Sequence, residues 1–230
     1  MSNADGVRIL AVSDEVDTTL YQPNLTEAVG TPDLLLGCGD LPYSYMEYIV
    51  TYTEVRHAYY VHGNHDQAQH VAEDMILTQP GGWRNIDRHV VYVRKHDVLI
   101  AGLEGSIRYR PGAAYQYRES EMFWRALSLV PRLLINRVLY GRYLDILIAH
   151  APAKAIHDEH KGAHRGFEVF RTLMRRFRPR LFLHGHNHRY GLDRWRTRFE
   201  ETEVINVHPF LVCTMEEDGI TFHHPRTETA

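Results

Sequence analysis

The sequence predicts an α/β layered fold, and two observations support this prediction. Short apolar runs typical of buried strands alternate with segments whose apolar residues recur at helical spacing. Five of the apolar runs are followed within a few residues by Asp, Asn or His. Because the carboxyl ends of parallel strands meet at one edge of a sheet, we expect these polar side chains to lie close together.

The elements can be placed from the apolar runs and from the prolines and glycines that interrupt them. In the first half the predicted strands are Val7–Val12, Asp33–Leu36 and Ala58–Val61, with a hairpin of Val90–Val93 and Val98–Ala101, and the predicted helices are Asn24–Val29, Tyr45–Tyr52 and Gln67–Met75. In the second half the helices lie within Glu119–Leu134 and at Phe167–Phe177, and the strands at Leu144–Ala149, Leu181–Leu183, Phe199–Val207, Phe210–Met215 and Ile220–His223.

Length and composition are those of a globular protein. The 230 residues, 44% of them hydrophobic and 24% charged, are expected to form one domain over 1–230. The net charge of −3 disfavours a nucleic acid partner, and no apolar run is long enough for a membrane span. Cys38 and Cys213 form no CxxC pair and lie in apolar runs, so we expect buried thiols in a cytoplasmic protein. The sequence does not fix the oligomeric state.

The polar residues at the predicted strand ends form an ordered set. They are Asp14, Gly39-Asp40, Gly63-Asn64-His65-Asp66, His150 and Gly185-His186-Asn187-His188. Taken singly each is a weak signal, because Gly-Asp is typical of turns and a lone buried His is more often a core residue than a ligand. As a set they indicate a metal site, since oxygen and imidazole donors without thiolate suit Mn²⁺, Fe, Co, Ni or Zn²⁺. We expect the three glycines to supply positive φ at sharp turns.

From Asp14 to His188 this series resembles the calcineurin-like metallophosphoesterase superfamily, in particular its bacterial members. The resemblance implies a four-layer α/β/β/α sandwich in which two central sheets are flanked by helices. It implies one or two divalent transition metal ions, with Mn²⁺ first and Fe, Ni, Co or Zn²⁺ as alternatives. It also implies a phosphoesterase reaction in which a metal-bound hydroxide attacks a small phosphodiester or phosphomonoester.

The resemblance assigns roles to individual residues. Asp40 corresponds to the bridging ligand, Asn64, His150 and His186 complete one metal site, and Asp14 and His188 contribute to the other. His65 matches a histidine that faces the substrate, and we expect Asp66 to orient its ring. Arg108 and Arg165 could contact a substrate phosphate, with a purely structural role in their loops as the alternative.

The first motif departs from the family pattern. Asp-x-His is replaced by Asp14-Glu15-Val16, so one imidazole ligand of the Asp14/His188 site is missing. We therefore expect weaker metal binding at that site than at the other.

Two other functions are open to this sequence. A catalytically weak or idle scaffold is disfavoured because His65 and Asp66 are retained. A nuclease is disfavoured by the modest acidic charge of the chain.

Overall fold

The computed structural model describes residues 6–72, 75–159, 162–187 and 195–223. The helices in this part of the chain are α1 (Leu25–Val29), α2 (Tyr43–Thr53), α3 (Glu119–Tyr140) and α4 (Glu168–Phe177). The strands are β1 (Val7–Val12), β2 (Leu34–Gly37), β3 (Ala58–Tyr60), β4 (Gln69–Ala72), β5 (Met75–Leu77), β6 (Arg84–Asn85), β7 (Val90–Val93), β8 (Val98–Leu103), β9 (Ser106–Ile107), β10 (Gln116–Tyr117), β11 (Ile146–Ala149), β12 (Leu181–His184), β13 (Arg196–Phe199), β14 (Thr202–Asn206), β15 (Phe210–Met215) and β16 (Ile220–His223).

Two six-stranded mixed sheets form the centre of the fold. The first has the order β16-β15-β1-β2-β3-β6, in which β1, β2, β3 and β6 are parallel. The second has the order β13-β14-β12-β11-β8-β7, in which the four inner strands are parallel and both edge strands are antiparallel. Each sheet therefore has a block of parallel strands whose carboxyl ends lie side by side.

Successive side chains of a strand point to opposite faces of its sheet, so each sheet contributes apolar side chains to two different cores. Ile9 of β1 and Ile146 of β11 are fully buried in one core between the two sheets. Their neighbours face outward: Leu10 packs in a core with α1 and α2, and Leu147 in a core with α3 and α4. The predicted α/β/β/α sandwich is confirmed.

Most predicted elements are found within a few residues of their expected bounds, but three differ. The predicted helix Gln67–Met75 is wrong, because β4 and β5 pair as an antiparallel hairpin in this region. A helix so short has little stability of its own, and backbone pairing replaces it. The predicted strand Phe199–Val207 is divided by a turn between β13 and β14.

Helix α3 is the third difference, since it continues to Tyr140, six residues past its predicted end. It contains Pro131, which is exposed on the outer side of the helix, where a missing N–H removes only one backbone hydrogen bond. No helix in the described ranges combines the length and the apolar character needed to cross a bilayer.

Candidate metal centre

Side chains from both sheets meet at the carboxyl ends of the parallel strands. His150 Nε2, after β11, lies 3.1 Å from Asn64 Oδ1, 3.0 Å from His186 Nδ1 and 3.2 Å from Asp40 Oδ2. His150 is fully buried and Asn64 nearly so. Asp40, His150 and His186 each offer a ligand atom, and these atoms lie within 4.8 Å of one another. The structure thus brings together all four residues predicted for the complete metal site.

Main-chain carbonyl groups fix which ring nitrogen of each histidine faces this cluster. His150 Nδ1 donates to the Cys38 carbonyl oxygen at 2.8 Å, and His186 Nε2 donates to that of Ala163 at 2.8 Å. A carbonyl oxygen only accepts, so these outer nitrogens carry the hydrogens, and the inner nitrogens of the neutral rings bear lone pairs. Such hydrogen bonds from the far nitrogen are typical of histidine metal ligands.

The amide of Asn64 is oriented in the same way. Its Nδ2 donates to the hydroxyl oxygen of Tyr109 at 3.1 Å, which leaves Oδ1 facing His150. Tyr109 could not be predicted from the sequence, because an isolated tyrosine in a loop gives no signal. Two imidazole nitrogens, an amide oxygen and a carboxylate therefore point their lone pairs at one another. A positive charge among them, either a proton on His150 or a bound cation, makes this arrangement favourable, and these oxygen and imidazole donors fit a divalent transition metal.

The electrostatics of the cluster agree with this geometry. Burial lowers the pKa of His150, but the adjacent Asp40 carboxylate outweighs burial and raises it to about 9. Burial raises the pKa of Asp40. The positive charge of His150, together with the hydrogen bonds that the Asp40 carboxylate accepts from His150 and from the His65 N–H, outweighs burial and holds that pKa below its usual range. Burial, together with His150, lowers the pKa of His186 to about 3. A proton therefore occupies His150 when no metal does.

The backbone turns sharply at three of the predicted ligands. Asp14, Asp40 and His186 have φ angles of 68°, 58° and 68°, in the left-handed region that side chains other than glycine seldom adopt. Positive φ was predicted for the glycines and holds for Gly39, at 92°. That prediction is wrong for Gly63 and Gly185.

Lack of space, and not a positive φ, requires glycine at positions 63 and 185. A Cβ at Gly63 would overlap Asp40 Oδ1, and a Cβ at Gly185 would overlap Ser13 Oγ. The ligand side chains approach the backbone of the neighbouring strand end so closely that no side chain fits there.

Asp66 joins two strand ends and does not orient His65 as predicted. Its Oδ2 accepts the N–H groups of Gly63 at 2.7 Å and Asp40 at 3.0 Å. No hydrogen bond within the described part of the chain connects Asp66 to the ring of His65. His65 is exposed, and its backbone N–H donates to Asp40 Oδ1 at 2.8 Å. Asp66 is therefore a positioning residue that holds the β2 and β3 ends in register, while the ring of His65 faces outward.

A buried network behind His62 supports the same strand end and was also missed. His62 Nδ1 lies 2.9 Å from Glu104 Oε2, and Glu104 accepts further hydrogen bonds from Tyr117 and Arg125. Burial raises the pKa of Glu104, but these partners together lower it. His62 directly precedes Gly63, and Arg125 belongs to α3. The network therefore connects the loop of the metal ligand Asn64 to the second sheet and its outer helix.

Asp14, predicted for the second metal site, lies beside His186. Both of its carboxylate oxygens accept the N–H of His186 at 3.0 Å. The predicted partner His188 lies outside the described residues, so their pairing stays a prediction.

The carboxylates on either side of Val16 have other partners. Glu15 Oε2 is 3.2 Å from His208 Nε2, and Asp17 Oδ1 accepts the N–H of Thr19 at 2.7 Å.

The two arginines differ in their surroundings. Arg108 binds Glu121 at 2.9 Å and the Gln116 carbonyl oxygen, which agrees with the structural role in its loop that was its alternative. Arg165 is exposed, and its role at a phosphate stays a prediction.

The other histidines near the site have structural roles where they are described. His184 and His157 are hydrogen-bonded at 2.9 Å, and burial lowers their pKa values to about 3 and about 4. His164 packs edge-on to His186, with ring centroids 5.1 Å apart. His160 lies outside the described residues.

Comparison with known proteins identifies the family. The model of the calcineurin-like phosphoesterase family matches residues 7–190, the range that contains the residues predicted as metal ligands. The chain belongs to the calcineurin-like phosphoesterase family. A Haemophilus influenzae protein without an assigned function is 27% identical over 165 residues, or 64% of this chain and 68% of that protein.

Solved structures share the calcineurin-like phosphoesterase fold at low sequence identity. TT1561 of Thermus thermophilus matches with a TM-score of 0.62 and 16% identity, over 96% of this chain and 100% of that one. GAP50 of Plasmodium, described as the anchor in the inner membrane complex, matches with a TM-score of 0.53 and 12% identity over 94% and 83%. PptH, a phosphopantetheinyl hydrolase of Mycobacterium tuberculosis, matches with a TM-score of 0.50 and 12% identity over 99% of both chains. These matches establish the fold, and the family supports metal-dependent phosphoester hydrolysis as the general activity.

Metal binding near neutral pH is expected to release about one proton, from His150. Because its pKa is raised to about 9, the metal-free ring is protonated at pH 7 and must lose that proton before Nε2 can coordinate. The stability gained from the protonated His150–Asp40 pair is present below the ordinary histidine pKa of 6.5 and is lost as pH rises through about 9. Metal affinity should rise over the same interval.

Titration calorimetry with Mn²⁺ in buffers of different ionisation enthalpy measures the proton released. The His150→Asn variant is the control, because it has no imidazole to deprotonate. A binding heat of the wild-type protein that is the same in every buffer would contradict the assignment.

Proposed function

We propose that this protein is a metal-dependent phosphoesterase that hydrolyses a small phosphodiester or phosphomonoester. The convergence of lone pairs from Asp40, Asn64, His150 and His186 carries the proposal. These residues would hold one divalent ion, and Asp14 with His188 would contribute to a second, with Asp40 between the two. Bound ions, Mn²⁺ first among them, would lower the pKa of a water molecule and neutralise charge on the phosphoryl oxygens.

Two observations support a role for His65 at the substrate. Its backbone N–H is bound to Asp40, so the residue is fixed beside the metal cluster. Its ring is exposed and makes no hydrogen bond within the described residues, which leaves both nitrogens available. We infer that His65 protonates the leaving oxygen or stabilises charge on the phosphoryl group. The exposed Arg165 is the remaining candidate for a phosphate contact.

Two properties of the whole chain support a small substrate and a reducing compartment. The net charge of −3 offers no general attraction for a polyanion such as nucleic acid. Both cysteines are buried as free thiols, which supports a cytoplasmic location.

Removal of the metal, or of Asp40, is expected to abolish hydrolysis. Protein stripped with a chelator and reconstituted with Mn²⁺, Co²⁺, Ni²⁺ or Zn²⁺ is assayed on aryl phosphodiesters and aryl phosphomonoesters. Asp40→Ala should lose both bound metal and activity. Asp97→Ala is the matched control, because Asp97 also has positive φ, at 52°, but lies in the exposed β7–β8 turn. Tight metal binding by wild-type protein without hydrolysis of any substrate would favour the scaffold alternative.

His65→Asn is expected to keep its metal and to lose activity by about 10²–10⁴-fold, the usual contribution of a general acid. The loss should be smaller for substrates with good leaving groups if proton donation is its main role. Asp66→Ala serves as the comparison, because release of the Gly63 and Asp40 N–H groups should weaken metal binding by about 10–100-fold. An unchanged rate for His65→Asn on every substrate would remove His65 from the mechanism.

The site beside Val16 is expected to bind its ion more weakly than the complete site. A metal titration followed by calorimetry should therefore resolve two affinities. Val16→His restores the imidazole of the family motif and should tighten the weaker one. Val16 is 36% exposed, so the new ring can be accommodated without disturbing the core. Two equally tight ions in the wild-type protein would show that another residue has replaced the missing ligand.

A further inference from the structure

The outer face of α3 has no partner in the described structure and is strongly apolar. Its inner residues, such as Met122, Leu129 and Leu133, are buried against the second sheet. Seven large apolar side chains on the other side are between 41% and 84% exposed: Phe123, Trp124, Leu127, Leu134, Ile135, Val138 and Leu139. Single exposed apolar residues are ordinary, but a continuous row along one helix marks an interaction surface.

The size of this face is that of one half of a stable protein interface. With about half of each side chain exposed, the face amounts to on the order of 700 Å² of apolar surface. The largest apolar patch of a typical monomer is about 300–600 Å². A standard interface buries about 800 Å² on each partner. The α3 face is therefore too large for an incidental patch and large enough for a dimer.

Six of the seven exposed apolar residues are arranged symmetrically about Pro131. Residues at equal distances before and after it correspond: Phe123 with Leu139, Trp124 with Val138, and Leu127 with Ile135. The seventh, Leu134, corresponds to the exposed Ser128. In a two-fold symmetric interface, residue i of one subunit contacts residue j of the other, and j contacts i. Two copies of α3 that pack antiparallel and cross at Pro131 would bring each of these apolar pairs together.

The ends of the helix fit the same arrangement. An antiparallel pair of α3 helices opposes the two helix dipoles, which is favourable. The charged residues at the ends of α3 do not compete for this face, because Glu121 is bound to Arg108, Glu119 to the Val169 N–H and Arg137 to the Gly141 carbonyl oxygen within the chain. We propose that α3 is the interface of a homodimer whose two-fold axis passes close to Pro131.

Mass measurement in solution over a range of protein concentrations tests the dimer. The wild-type protein should have the mass of two chains, and Val138→Glu should raise the dimer dissociation constant by roughly 30-fold or more, the scale of a hot-spot substitution. Val138 is 84% exposed, so the variant should fold normally. Ile76→Glu, at a 52% exposed residue on β5, is the matched control and should remain dimeric. A wild-type protein that is monomeric at every concentration would overturn the proposal.

Cysteine cross-linking tests the geometry, because both native cysteines are buried and leave only the new thiol to react. Pro131→Cys should form a disulfide-linked dimer under mild oxidation. Val138→Cys should not, since the two thiols would be about 20 Å apart along antiparallel helices at about 1.5 Å per residue. A mixture of Trp124→Cys and Val138→Cys should cross-link. Efficient cross-linking of Val138→Cys alone would indicate parallel packing and overturn the arrangement.

A membrane surface is the other partner that an apolar helix face such as that of α3 could bind. Sedimentation of the wild-type protein with anionic phosphatidylserine vesicles distinguishes it from a dimer. Binding to vesicles that is lost in Val138→Glu, by a protein that is monomeric in solution, would overturn the proposal. Dimers that do not sediment with vesicles would support it.

Discussion

The structure depends on the need for positive charge at one buried cluster. There, at the carboxyl ends of the parallel strands, the lone pairs of two imidazoles, an amide and a carboxylate face one another. Cys38 and Ala163 hold the outer ring nitrogens, and Tyr109 holds the amide, so none of these groups can turn away. Without a cation the cluster would be unfavourable, because buried acceptors need partners. A proton on His150 satisfies it only in part, and a divalent ion satisfies all four donors.

The two sheets cooperate to meet this requirement. Asp40 and Asn64 come from the first sheet, and His150 and His186 from the second, so the cluster exists only when the sheets pack with their parallel carboxyl ends together. The apolar core between the sheets supplies that packing. Asp66 and the network of His62 then fix the strand ends relative to each other. Ligand geometry is thus a property of the whole sandwich and not of any one loop.

Much of this arrangement could be predicted from the sequence, because strand ends have a clear signature. Apolar runs followed by Asp, Asn or His indicated both the fold class and the side chains that cluster at the strand ends, since side-chain type and position along the chain are local properties. The hydrogen bonds of Asp66 and Arg108 could not be predicted, because their partners depend on the packing of distant segments. The β4–β5 hairpin was missed because a short segment with weak periodicity takes its structure from its neighbours.

The left-handed backbone at Asp14, Asp40 and His186 also affects the stability of the fold. Glycine adopts that conformation without the steric cost of about 1–2 kcal/mol that other residues incur. Replacement of any of these three residues by glycine would therefore relax the backbone. The same replacement would remove a hydrogen bond, because Asp14 accepts the N–H of His186, Asp40 accepts that of His65 and the ring of His186 donates to Ala163. At these positions the backbone and the side chain thus oppose each other, and the free energy of unfolding depends on the balance between a steric cost and a buried hydrogen bond.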